Sequence, residues 1–84
     1  MGGPSLRTLV LRRLAELQAE RRGRRLSLRQ VSIRSFGRVS ESTLRAIVAG
    51  HPAVQLSDRE INGLALALEI PAERVYLAAA NPDP

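Results

Sequence analysis

The segment 27–50, SLRQVSIRSFGRVSESTLRAIVAG, constrains the fold of this chain more than any other. It holds two helix beginnings, each led by a serine, and two glycine stops. Ser27-Leu28-Arg29-Gln30 reads as a capping box: the serine side chain accepts from an orphan amide, and the glutamine three residues later reaches back. Gly37 ends that helix, Ser40 caps the next, and Gly50 with Pro52 stops it. Helices this short are marginal alone in water. Their apolar positions must therefore be buried against other helices: Leu28, Val31 and Phe36 on the first, Val39, Leu44, Ile47 and Val48 around the second. Ser32 is a small residue where two helices approach closely.

The other helices follow the same grammar. Ser5 caps a first helix whose Leu6, Leu9, Val10, Leu14 and Leu17 recur at three- and four-residue spacing. Arg21, Arg22 and Gly23 close it, cations lying near the negative pole of the helix. The connector after Gly50 turns Val54 and Leu56 inward. Ser57-Asp58-Arg59-Glu60 is a second capping box, followed by Ile61, Leu64, Ala65 and Leu68 on one face. Pro71 suits the first turn of a fifth helix, with Val75, Tyr76 and Ala79 inward. Strand formers show no period-two alternation, and Phe36 and Tyr76 are the only aromatics. The expectation is an all-α, compact five-helix domain with helices near 5–22, 27–36, 40–49, 57–69 and 72–80. Residues 1–4 read as a flexible N-terminal arm or tag remnant, 5–80 as the single domain and 81–84 as a frayed end.

Charge is unevenly spread. All thirteen basic residues are arginine. Residues 1–50 hold eleven Arg and three acids, a net of +8, whereas 51–84 hold two Arg and five acids, a net of −3. Seven Arg and no acid lie from Arg21 to Arg38. Such asymmetry points to one face for a polyanion and another for water or a partner. There is no cysteine, which excludes a disulfide framework and a thiolate zinc site. No apolar run approaches the length of a membrane span, so no membrane partner is expected. His51, the single histidine, lacks a nucleophile or fellow ligands at motif spacing and reads as a surface residue or a backbone-phosphate contact. With no cofactor motif, no metal site and no catalytic constellation, an enzyme is the least favoured class.

In order and spacing the chain resembles the lambda-repressor/Cro-like, or XRE, family of helix-turn-helix DNA-binding domains over roughly Leu6 to Leu77. Residues 27–32 match the start of its second helix. Gly37, Val39 and Ser40 match its turn, and Ser42-Thr43-Leu44 with Ile47 and Gly50 its third helix. The run 64–71, LALALEIP, is similar to its fourth helix and exit. Three positions depart: Arg38 is inserted between the turn glycine and Val39, Ser32 stands where Ala is usual, and Leu28 stands where many phage repressors carry a phosphate-binding Gln. The resemblance implies a recognition helix over 40–49 in the major groove.

On that helix Leu44 and Ile47 point inward, leaving Glu41, Ser42, Thr43, Arg45, Ala46 and Ala49 outward. The base-contacting set expected is Glu41, Ser42, Thr43, Arg45 and Ala46. Arg45 suits guanine O6 and N7, Glu41 cytosine N4, and Ala46 a thymine methyl. Glu41 equally fits a first-turn acid on the helix dipole, and Arg45 a phosphate contact. The phosphate-contacting set expected is Arg24, Arg25, Ser27, Arg29, Arg34, Arg38 and Ser40. Arg7, Arg12 and Arg13 read as solvated residues of the first helix. Specific affinity for a palindromic operator calls for a homodimer, with Leu66, Tyr76, Leu77 and Ala80 on the C-terminal helices as candidate surface. The function expected is a cytoplasmic, nucleoid-associated regulator of bacterial or phage type, acting on double-stranded DNA as a repressor. The alternatives are a helical protein-interaction module, such as an antitoxin or regulator adaptor, and an architectural or excision factor.

Overall fold

Four of the helices begin at a serine whose side chain accepts an amide proton from the first turn. The computed structural model describes residues 5–20, 26–50 and 55–80, which form α1 (Leu6–Glu20), α2 (Leu28–Arg34), α3 (Glu41–Val48), α4 (Asp58–Leu68) and α5 (Ala72–Ala79). No strand occurs among these residues. Ser27 and Ser57 complete both halves of their capping boxes with Gln30 and Glu60. Ser40 Oγ accepts from the Thr43 amide at 3.1 Å, and Ser5 Oγ from the Thr8 amide at 3.3 Å. Each such cap stabilises its helix by about 1 kcal/mol. Pro71 stands at the N-cap of α5, one place before the first turn, and offers no side-chain bond.

α4 is the central helix. It packs against α1, α2 and α5, and buries Ile61, Gly63, Leu64, Ala65, Ala67 and Leu68. α1 lays Leu9, Val10 and Leu17 across α3, α4 and α5. α2 contributes Val31, the turn Val39, and α3 Leu44 and Ile47 to the same core. The Cα radius of gyration is 11.8 Å, close to the roughly 12 Å of a fully packed chain this long.

Several inward expectations are corrected. Phe36 is not on the buried face of α2; it is 77% exposed, because the backbone turns left-handed there (φ 58°) and swings the ring away. In α5 the buried pair is Val75 and Ala78, while Tyr76 and Ala79 face out, the three-residue step following the face laid on α4. Leu28, Val48 and Leu56 are half-buried at the core edge. Arg21, Arg22, Gly23 and Val54 lie outside the described residues, as do positions 1–4 and 81–84.

Candidate nucleic-acid interface

The turn between α2 and α3 fixes how α3 is presented. α2 ends in a Schellman-type arrangement: the Phe36 amide donates to Ile33 O at 2.9 Å and the Gly37 amide to Ser32 O at 3.1 Å. Phe36 (φ 58°) and Gly37 (φ 74°) are both left-handed. Two hydroxyls then hold Val39 by its backbone. Ser35 Oγ accepts from the Val39 amide at 3.2 Å while donating to Ser32 O at 2.6 Å, and Ser32 Oγ donates to Val39 O at 2.6 Å. Ser35 is fully buried, as is the Val39 side chain. Arg38 lies against α4: a Cβ on Gly63 would lie 2.6 Å from Arg38 Cβ and 3.4 Å from Ser35 Cβ. A mid-helix glycine gives up about 1 kcal/mol of helix propensity relative to alanine. Here it lets the turn lie directly on the α4 backbone.

With Leu44 and Ile47 buried, α3 turns Ser42, Arg45 and Ala49 to the exterior, and Glu41, Thr43 and Ala46 are half-buried at its margins. Glu41 and Arg45 form an ion pair one turn apart. An exposed pair of this kind is worth about 0.3–0.5 kcal/mol, whereas a good bidentate arginine–guanine contact discriminates by about 1–3 kcal/mol. The pair thus orients Arg45 and gives way easily to a stronger acceptor. Thr43 Oγ1 and Ser40 Oγ lie 2.9 Å apart and share a hydrogen bond within the cap.

The expected phosphate-contacting residues divide. Arg29 and Arg38 are exposed and have no ion-pair partner among the described residues. Arg34 is instead joined to Glu69 at 2.8 Å, tying the end of α2 to the left-handed end of α4 (Glu69 φ 57°). Ser27 and Ser40 accept the capping amides of α2 and α3. Arg24, Arg25 and His51 lie outside the described residues.

Two arginines read as solvated prove to be structural. Arg7 Nε donates to Val48 O at 2.9 Å, and Arg13 Nε to Leu68 O at 2.7 Å. They cap the carbonyl ends of α3 and α4, where a cation also meets the negative pole of the helix. Arg13 has a further weak pair of contacts with Glu16 and Glu20, at 3.9 and 4.0 Å. The sequence carried a faint signal: Arg13 lies between Val10 and Leu17, three and four residues from core positions.

Arg38 of the turn and Arg59, Asn62 and Leu66 of α4 line an open surface cleft of about 590 Å³. No group of three metal-ligating side chains is present among the described residues, and none of their buried side-chain polar atoms lacks a partner. No helix is long and apolar enough to cross a membrane among those residues. No protein-family model, curated protein or solved structure matches this chain.

Proposed function

We propose that this protein is a sequence-specific double-stranded DNA-binding regulator, a repressor with a lambda-repressor-like helix-turn-helix, reading the major groove with α3. The observation that carries the reading is the disposition of α3. Its apolar side is anchored by Leu44 and Ile47, its entry is fixed by the Ser32 and Ser35 hydroxyls, and Ser42 and Arg45 are exposed on the outside, Arg45 paired with Glu41 of the same helix. Arg29 on α2 and Arg38 in the turn are exposed and have no ion-pair partner among the described residues, positive charge suited to phosphates. In this reading Arg45 and Ser42 address base edges at the centre, and Glu41 exchanges its partner Arg45 for a cytosine amine. Thr43 and Ala46 lie at the rim of the contact.

Selection from random duplex DNA at physiological salt tests it. The expected result is an enriched palindrome, bound by a dimer joined through the C-terminal helices, where Leu77 is 61% exposed. Absence of any enriched sequence overturns the reading. It would favour an interaction module, for which the exposed Ile33 (65%) and Phe36 (77%) on α2 and its turn supply an apolar anchor.

A further inference from the structure

The structure assigns a second role to the inserted residue Arg38: with Arg59 and Asn62 it forms a phosphate-binding cleft on the α4 side of the turn, apart from the reading face of α3. The inference rests on the DNA reading for the source of its phosphate but on its own residues for its chemistry.

Arg38 comes from the turn, while Arg59, Asn62 and Leu66 follow one another along the outer face of α4 at helical spacing. Gly63 is what brings them together. Any side chain there would push Arg38 away, since its Cβ would meet that of Arg38 at 2.6 Å. Neither guanidinium is neutralised among the described residues. The acids nearest Arg59 in sequence are engaged elsewhere: Asp58 Oδ1 accepts from the Tyr76 hydroxyl at 2.9 Å, and Glu60 Oε1 from the Ser57 amide at 3.0 Å. Asn62 spends one amide proton on Asp58 O at 2.8 Å and retains the other. Two unpaired guanidinium groups and an amide N–H in one open cleft match the oxygens of a phosphate, which guanidinium binds through two parallel hydrogen bonds. The half-exposed Leu66 offers an apolar wall on which a sugar attached to that phosphate would lie. A phosphodiester of the duplex backbone fits this description, and so does the phosphate of a free nucleotide-sized ligand.

The test follows the Arg38 and Arg59 Nε–H signals of the whole chain by NMR during titration with a mixed-sequence duplex and, separately, with inorganic phosphate. Salt-dependent binding of the wild type and of Arg59→Gln is measured in parallel. Arg59 belongs to none of the phosphate contacts on the α3 side, and its exposed position leaves the fold intact on substitution. The expected result is that both signals move with duplex and that Arg59→Gln makes the dependence of log K on log salt shallower by about one unit, the share of one phosphate. Movement of both signals with inorganic phosphate, together with no binding of the duplex, sustains the cleft, makes a free phosphorylated ligand its source, and removes the DNA reading. Steep salt-dependent duplex binding with a silent Arg59 and an unchanged slope in the variant overturns the cleft and spares α3. Silence toward both probes overturns the cleft as well, and absence of duplex binding then removes the DNA reading with it.

Discussion

Phe36 is where backbone and side chain disagree most openly. An L-residue in the left-handed region costs roughly 1–2 kcal/mol, and a ring left 77% exposed returns little of it through burial. Glycine adopts this conformation freely but loses about 0.5–1 kcal/mol more backbone entropy on folding. Phe36→Gly should therefore raise stability by a few tenths to about 1 kcal/mol, read from urea midpoints at constant m-value. A loss of stability would mean that the ring packs more than its exposure indicates. Tyr76 poses a different residue-scale question. The hydrogen bond its hydroxyl donates to Asp58, then desolvation, then the Asp58 charge raise its pKa above the ordinary phenol value. The folded chain thus holds a proton that the unfolded chain releases at about pH 10. The stability this confers is complete below that pH and is lost as pH climbs through the raised value. Thermal melts between about pH 8 and pH 11 should fall more steeply for the wild type than for Tyr76→Phe; parallel curves would show that the bond does not persist in solution.

At the scale of elements, the helix starts were legible because a cap is a local event. Ser27, Ser40 and Ser57 each act on an amide three residues away, so sequence spacing and spatial proximity coincide. The helix ends were less legible. Gly37 signalled a stop, yet the left-handed residue that closes α2 is also Phe36, and α4 closes on Glu69 with no glycine. Those ends are held by partners distant in sequence: Arg34 reaches Glu69, Arg13 reaches Leu68 O, and Arg7 reaches Val48 O. The contact of the turn with α4 belongs to this class too. Gly63→Ala improves helix propensity by about 1 kcal/mol but drives a methyl into Arg38 Cβ, which is fixed to the backbone and cannot swing aside. Overpacking of this kind costs about 1–3 kcal/mol. The net expectation is a lower midpoint, with chemical-shift changes concentrated at 35–39; a higher midpoint would show that the turn slides on α4 without cost.

For the whole molecule the decisive quantity is where its positive charge goes. The arginines crowd the N-terminal half of the sequence, yet Arg7, Arg13, Arg34 and Arg45 all have partners within the chain. Among the described residues, Arg29, Arg38 and Arg59 are the exposed cations with no ion-pair partner that bear on the proposed surfaces. If about five phosphates are neutralised in all, log K should fall with log salt at a slope near −4 to −5. Charge reversal, Arg45→Glu, should abolish duplex binding by setting a second carboxylate beside Glu41 on the reading face. Its cost to the fold should stay under about 1 kcal/mol, since only an exposed pair is lost. Gel-shift and melting curves on one preparation check both halves. Retained binding would place the contact elsewhere on the molecule.

Helix number, helix starts, the core stripe of α1 and the buried pair of α3 were all readable in one dimension. Each depends on residues three or four apart, where the chemistry of neighbours decides the outcome. The packing of the chain in three dimensions decided the rest. It rotated α5 so that Ala78 rather than Tyr76 met the core, and converted two surface arginines into caps for other helices. It also brought Arg38 to Arg59 across Gly63. The arginine contacts among these join residues 21 to 55 places apart, and their energies exist only once the helices have docked.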